Sequence, residues 1–209
     1  MLKNFKNIIF DLGGVIIDLD FQAAYGAFST LSGLSLHEVK QRVFSFTEFI
    51  EYEKGLTSSQ EFRIQIKELF QISVSDEAVD RAWCAMLGRI PLERLALLKR
   101  LQGKYRTFAL SNTNDIHANK FDSIVEESLG SAVLFKAHFE SVYYSHEMKM
   151  RKPDEEIYLA VLNDQGLRPE ETLFIDDTLK NVQAAASLGI QTLHLKDPRQ
   201  LIPFFNGSR

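Results

Sequence analysis

The stretch Asn7-Ile8-Ile9-Phe10-Asp11-Leu12-Gly13-Gly14-Val15 decides the fold. Its first four residues predict a short buried strand, because parallel strands covered on both faces are apolar runs. Asp11 stands where this strand ends, and the glycines after it let the backbone pass close to a bound anion or metal. Ligands of open α/β sheets bind at the carboxyl ends of the strands. The stretch therefore predicts that Asp11 lies at the functional edge of a sheet.

Strands and helices alternate along much of the rest of the chain. The predicted strands are residues 7–10, which residues 15–17 are apolar enough to extend, and residues 105–110, 139–144, 172–175 and 191–195. The predicted helices of this region are residues 92–101, 155–165 and 179–188. Such alternation is typical of a parallel sheet with helices on both faces. We therefore expect an α/β fold with a Rossmann-like three-layer α/β/α core and a five-stranded parallel sheet.

A helical segment interrupts this alternation between the first and second strands. Its predicted helices are residues 22–32, 35–47, 58–70 and 76–87. Ser35 and Ser58 are suitable N-caps, while Gly33 and Gly55 are suitable helix breaks. We expect residues 20–89 to form an inserted all-α bundle, and residues 1–19 and 90–209 to form the α/β core. Residues 203–209 are expected to be a loosely packed end.

Composition limits the classes of function. The 209 residues carry a net charge of −4 and have no long basic block, so we expect no nucleic-acid partner. No apolar stretch approaches the length of a membrane span, so no membrane partner is expected either. The single cysteine excludes an intramolecular disulfide and fits a reducing compartment. These features predict a cytoplasmic protein. We also expect a monomer or a weak homodimer, although no feature of the composition indicates the oligomeric state.

Polar clusters follow four of the predicted strands. They are Asp11-Leu12-Gly13-Gly14-Val15, Leu110-Ser111-Asn112-Thr113-Asn114, Met150-Arg151-Lys152-Pro153 and Phe174-Ile175-Asp176-Asp177-Thr178. Each cluster alone has an ordinary explanation as a turn, a helix cap or a solvated charge. In a parallel sheet, however, all four face the same edge. Their repetition predicts one site built from carboxylates, a hydroxyl and one or two cations.

The order and spacing of these clusters resemble the haloacid dehalogenase-like hydrolase superfamily. FDLGGV, LSNTN, RKPD and FIDD match its four motifs in order, and the resemblance extends over the whole chain. The helical segment resembles the α-helical cap of subfamily I. The FDLGGV and MRKPDEEIY segments are similar to those of the branch that includes α-D-glucose-1-phosphate phosphatases. The resemblance implies a phosphoric monoester hydrolase that acts on small phosphorylated metabolites, with sugar phosphates expected.

The resemblance implies a role for each motif residue. Asp11 is the expected nucleophile, which forms an aspartyl-phosphate, and Lys152 neutralises charge at the reacting group. Ser111 and Asn112, together with Lys152, are expected to bind the phosphate. The expected Mg²⁺ ligands are Asp11, the backbone carbonyl of Gly13 and Asp176. Asp177 and Asn181 are expected to support this arrangement.

One position departs from the pattern of the family. Most of its phosphatases place a general acid–base aspartate two residues after the nucleophile, where this chain has Gly13. Losing such a group costs roughly 10²- to 10⁴-fold in rate. A sugar anomeric oxygen needs less protonation than an ordinary alkoxide, which is one explanation. Another is a substitute group, either water, the substrate itself or a side chain such as His37, Glu48 or Glu53.

The same departure leaves two other functions open. A metal-independent 2-haloacid dehalogenase needs no acid for its halide, although the Asp176-Asp177 pair argues against it. A catalytically weak binding or regulatory module is the second alternative. For specificity, the segment Phe44-Ser45-Phe46-Thr47-Glu48-Phe49 and the pair Tyr52 and Glu53 are candidates. At least two of the three phenylalanines are expected in the core of the cap.

Overall fold

The computed structural model of the chain describes residues 4–129 and 135–207. Five strands form one sheet within them: β1 (Asn7–Phe10), β2 (Arg106–Ser111), β3 (Ser141–Tyr144), β4 (Thr172–Asp176) and β5 (Gln191–His194). Their order is β3-β2-β1-β4-β5, and all neighbouring pairs are parallel. The predicted five-stranded parallel sheet is therefore confirmed.

Helices connect the strands along the chain. Between β1 and β2 lie α1 (Phe21–Ser32), α2 (Leu36–Ser45), α3 (Phe49–Glu53), α4 (Ser59–Phe70), α5 (Asp76–Cys84) and α6 (Leu92–Leu101). After β2 come α7 (Asp115–Ala118), α8 (Phe121–Leu129), α9 (Ser145–Met148), α10 (Glu155–Gln165), α11 (Leu179–Ser187) and α12 (Leu201–Gly207). No helix within the described residues is both long enough and apolar enough to span a bilayer.

Alternate residues of the strands pack on opposite faces of the sheet, as the pleat requires. Ile8 and Phe10 of β1 belong to an apolar cluster that includes Leu98 of α6 and Leu201 of α12. Ile9 of β1 belongs instead to a cluster with residues of α10 and α11. One cluster packs on each face of the sheet, so helices, sheet and helices form the three α/β/α layers that the sequence predicted.

Helices α1 to α5 share a third apolar cluster, which includes Phe28, Phe62 and Val79 and which Ile116 of α7 joins. Ser35 and Ser58 both form the reciprocal capping box, with Glu38 and Glu61. The N-cap assignments are therefore confirmed.

Two neighbouring backbone segments connect the helical segment to the rest of the chain. The N–H of Gly88 donates to the Asp18 carbonyl at 2.8 Å, and the N–H of Asp20 donates to the Met86 carbonyl at 2.8 Å. Leu19 and Leu87 form an antiparallel bridge between these hydrogen bonds. The two connections therefore run side by side.

Two predictions about local structure are wrong. Residues 15–17 do not extend β1, because the N–H groups of Ile16 and Ile17 both fold back onto the Leu12 carbonyl at 2.8 Å. The predicted loose end at residues 203–209 is helical as far as Gly207, and Ser208 and Arg209 lie outside the described residues. Phe205 of this helix packs against Phe10 with ring centroids 6.2 Å apart, which explains why the end is held.

Candidate active site

Lys152 lies at the centre of the sheet edge where the polar clusters meet. Its ammonium donates to Asp11 Oδ1 at 2.7 Å, to Asp176 Oδ2 at 2.7 Å and to the Leu110 carbonyl at 2.8 Å. Only 1% of the side chain is exposed. All three donors of the ammonium are used, so its position is fixed by β1, β2 and β4 together.

Strand register explains why these residues meet. Phe10 of β1 pairs with Ala109 of β2 on one side and with Ile175 of β4 on the other. Asp11, Ser111 and Asp176 follow these three residues by one or two positions, and parallel strands end at the same edge. The three residues are buried, so the edge is a pocket and not an open surface.

Asn112 connects the Lys152 loop to β2. Its amide Nδ2 donates to the Lys152 carbonyl at 2.8 Å, and its Oδ1 accepts from the Lys152 N–H at 2.8 Å. This reciprocal pair satisfies both backbone groups of Lys152. The side chain of Asn112 is therefore occupied by the loop, while Ser111 Oγ makes only a long contact of 3.5 Å to the Asn112 carbonyl.

Carboxylate oxygens of Asp11, Asp176 and Asp177 lie within 4.8 Å of one another. Asp176 is fixed by Asn181 Nδ2, at 3.1 and 3.0 Å, and by the Thr178 N–H at 2.7 Å. Asp177 packs against Gly14, where a Cβ would lie 2.3 Å from Asp177 Oδ2. Oxygen donors of this kind, grouped and anionic, are the ligands that Mg²⁺ prefers. The residues present therefore fit a magnesium ion.

Burial and charge act in opposite directions on these groups. Burial raises the pKa of Asp11 to about 7, with a further rise from Asp176, while Lys152 opposes the shift. Burial works against the charged form of Lys152, but the charges of Asp11 and Asp176 outweigh it and raise the lysine pKa. Burial also raises the pKa of Asp177. Such opposed environments around neighbouring titratable groups are typical of catalytic sites.

The position of Gly13 is closed by a side chain. A Cβ on Gly13 would lie 2.8 Å from Leu19 Cδ1, so an aspartate does not fit there unless Leu19 moves. Of the three side chains that the sequence suggested as substitutes, Glu53 lines the pocket beside Asp11 and Lys152. His37 and Glu48 are exposed.

The pocket is a cavity of about 360 Å³ that extends from the motif residues into the helical segment. Phe46 and Phe49 line it, as the aromatic segment suggested, whereas Phe44 is 80% exposed. Tyr52 is buried and its hydroxyl is hydrogen-bonded with Ser59 Oγ at 2.9 Å, so it belongs to the core of the helices.

The sequence did not predict two sets of contacts at the cavity. Arg151 Nη2 donates to Glu53 Oε2 at 2.8 Å across 98 positions of sequence. His117 is buried, stacks on Trp83 at 5.1 Å and is hydrogen-bonded with Asn114. Burial lowers the pKa of His117 to about 4, so its ring is neutral near pH 7. The contacts of Arg151 with Glu53 and of His117 with Trp83 join elements that are distant in sequence, so no local pattern indicates them.

The chain is similar in sequence and in fold to known proteins. A sequence model described as haloacid dehalogenase-like hydrolase matches residues 5–189. The chain is 32% identical over 188 residues to a D-ribitol-5-phosphate phosphatase of Bacteroides thetaiotaomicron, with 90% of each chain covered. It is similar to a haloacid dehalogenase family enzyme of the same organism, solved with magnesium and inorganic phosphate. That similarity has a TM-score of 0.82 and 38% identity, over 91% of this chain and 93% of the other. A predicted hydrolase of this family from Porphyromonas gingivalis has a TM-score of 0.88 and 31% identity over 98% of each chain.

Proposed function

Because the chain belongs to the haloacid dehalogenase-like hydrolase family, we propose that this hydrolase is a Mg²⁺-dependent phosphatase of small phosphorylated metabolites, sugar phosphates in particular. One observation carries the proposal: Lys152 bridges two buried carboxylates whose neighbour, Asp177, completes an oxygen-rich group. Relatives named for phosphatase activity on D-ribitol 5-phosphate and on phosphorylated carbohydrates support the substrate class.

Asp11 acts as the nucleophile in this proposal. One of its carboxylate oxygens attacks phosphorus, the bond from phosphorus to the ester oxygen breaks, and an aspartyl-phosphate forms on Asp11. Water then attacks phosphorus and regenerates the Asp11 carboxylate with release of inorganic phosphate. Lys152, which already contacts Asp11, neutralises charge that builds on the phosphoryl oxygens. Ser111 and the backbone of Asn112 bind the phosphoryl group.

The metal ligands are the carboxylates of Asp11 and Asp176 and the backbone carbonyl of Gly13. Bound Mg²⁺ supplies positive charge that offsets the repulsion between an anionic nucleophile and an anionic ester. Asp177 adds an oxygen donor nearby, and Asn181 orients Asp176 through its two hydrogen bonds. The ester oxygen that leaves takes its proton from a group other than residue 13, since glycine has no acidic side chain.

Residues 20–89 act as the cap, and residues 1–19 and 90–209 act as the catalytic core. The apolar cluster that α1 to α5 share, to which the core contributes Ile116, and the paired connections at Asp18–Asp20 and Met86–Arg89 support this division. Closure of such a segment excludes water from the cavity that it shares with the core. A cytoplasmic location and a monomeric or weakly dimeric state stay predictions of the sequence.

Hydrolysis of p-nitrophenyl phosphate tests the proposal. We expect release of p-nitrophenol with Mg²⁺, its loss with EDTA, and its loss in Asp11→Asn with the circular dichroism spectrum unchanged. Glu126→Gln, which makes the same acid-to-amide change at an exposed site on α8, is the matched control and should keep full activity. Retained turnover in Asp11→Asn would refute the nucleophile.

The two alternatives give different results in the same preparation. Halide release from 2-haloacids in EDTA would identify a dehalogenase. We do not expect it, because the buried Asp176 and its neighbour Asp177 would repel the carboxylate of such a substrate. A folded protein that binds Mg²⁺ and releases neither phosphate nor halide would identify a binding module.

A further inference from the structure

Glu53 is the one charged residue that helices α1 to α5 contribute to the lining of the active-site cavity, within the described residues. Most of the other lining residues from these helices are apolar or aromatic, such as Phe21, Phe28 and Phe49. Trp83 Nε1 is already directed at Asn114 Oδ1 at 3.4 Å. A polar leaving group therefore meets one strong hydrogen-bond acceptor on this side of the cavity.

Arg151 sets the orientation of that acceptor. Its Nη2 holds Glu53 Oε2 at 2.8 Å, and Glu53 Oε1 has no hydrogen bond to another described residue. Both side chains are largely buried, with 21% of Arg151 and 18% of Glu53 exposed. Because Glu53 lines the cavity, its second carboxylate oxygen can accept a hydrogen bond from a bound molecule. Glu53 Oε1 therefore favours a ligand group that donates a hydrogen bond.

The end of α3 is also fastened to the loop that carries Lys152. Lys54 pairs with Asp154 at 3.1 Å, and the Lys149 ammonium donates to the Gly55 carbonyl. Gly55 has φ +60° and lies so close to the His146 carbonyl that a Cβ would be 2.2 Å from its oxygen. These contacts fix Glu53 relative to the group that binds the phosphate, as recognition of one specific substrate atom requires.

We propose that Glu53, positioned by Arg151, accepts a hydrogen bond from a hydroxyl of the leaving group and so selects polyol and sugar phosphates over esters without hydroxyls. The inference rests on the proposed function and adds the residue that reads the substrate. The aromatic walls contact the carbon–hydrogen faces of the same leaving group, and Glu53 binds its hydroxyl edge. Burial, which raises the pKa of Glu53 against the opposing charge of Arg151, is consistent with a carboxylate that gains from another donor.

The test compares esters that differ in their hydroxyls. D-Ribitol 5-phosphate and n-pentyl phosphate share a five-carbon chain, and p-nitrophenyl phosphate is a second ester without hydroxyls. We expect the wild type to prefer D-ribitol 5-phosphate to n-pentyl phosphate in kcat/KM by at least about tenfold. Glu53→Leu should lower kcat/KM for D-ribitol 5-phosphate by roughly 10- to 100-fold more than for the other two esters, mostly through KM.

Two further variants separate recognition from folding. Glu53→Gln keeps an acceptor oxygen of the same reach and should retain part of the preference, which a purely structural role would not predict. Glu51→Leu, on the exposed side of the same helix, should leave all three esters unchanged. Activity on p-nitrophenyl phosphate reports that each variant has a folded catalytic site.

Three results would overturn the inference: no preference in the wild type, a preference that Glu53→Leu leaves intact, or an equal loss on all three esters. Failure of the proposed function looks different, because the wild type would then hydrolyse none of the esters in the presence of Mg²⁺, and the inference would fall with it.

Discussion

Lys152→Met tests whether this lysine holds two buried carboxylates together. Methionine keeps the unbranched chain but removes the ammonium that contacts Asp11 and Asp176 at 2.7 Å each. Removing one partner of a buried ion pair costs about 3–5 kcal/mol, because a charge stays buried without compensation. A chain of this size loses about 2–4 °C in Tm per kcal/mol, so the expected decrease is roughly 6–20 °C.

The assay is thermal unfolding followed by circular dichroism at pH 8 in EDTA. Lys67→Met is the matched control, because Lys67 pairs with Asp76 at 2.6 Å on the surface, where an ion pair contributes only about 0–1 kcal/mol. In the double variant Lys152→Met/Asp11→Asn the Tm should recover in part, since one of the two stranded charges is gone. Mg²⁺ should also restore part of the Tm of Lys152→Met.

A decrease in Tm no larger than that of the surface control would refute the reasoning. It would mean that water or protonation compensates Asp11 and Asp176 fully, and that Lys152 is not needed to hold the site in its resting state.

Three further predictions follow from other contacts. Asp176→Asn should weaken Mg²⁺ binding by at least about tenfold in isothermal titration calorimetry, and an unchanged affinity would remove Asp176 from the ligand set. His117 has a pKa of about 4 in the folded protein against 6.5 for the free side chain, so the unfolded chain binds more protons between these values. The free energy of unfolding should therefore fall by up to about 3 kcal/mol as the pH drops from 6.5 to 4. In urea unfolding, the free energy of unfolding of His117→Gln should depend less on pH than that of the wild type. Equal pH dependence in the two proteins would contradict the low pKa of His117. Gly55→Ala should destabilise the chain by about 1–3 kcal/mol more than Gly103→Ala, because both glycines have positive φ but only Gly55 faces a backbone oxygen; equal Tm values would refute the packing argument.

The motif residues of the site were predictable because one local rule positions them. Asp11 and Ser111 each come at or just after the end of an apolar run, and parallel strands bring such ends together without any knowledge of the rest of the fold. Asp176 follows the same rule as the last residue of β4. Their convergence depends on strand register, and short apolar strands between turn residues determine register well.

The contacts that the helical segment makes at the cavity were harder to predict from the sequence. The Glu53–Arg151 pair joins a five-residue helix to a loop 98 positions away, and neither residue has a periodic pattern that indicates the other. The closed position at Gly13 likewise depends on where Leu19 places its side chain after a tight turn. The helix at Leu201–Gly207 was missed because its stability comes from contacts such as Phe205 on Phe10, not from local propensity.

The backbone segments Asp18–Asp20 and Met86–Arg89 lie side by side, so the helices between them could be removed or exchanged in an engineered chain. Since the two ends of the helical segment are already hydrogen-bonded to each other, a tight turn of a few residues between Leu19 and Leu87 would span the gap without disturbing the β-sheet. A shortened protein of this kind would present the sheet edge with Asp11, Lys152 and Asp176 to bulk water. Replacing the segment with those of other family members, joined at the same two points, would then test whether it sets the substrate preference of the α/β core.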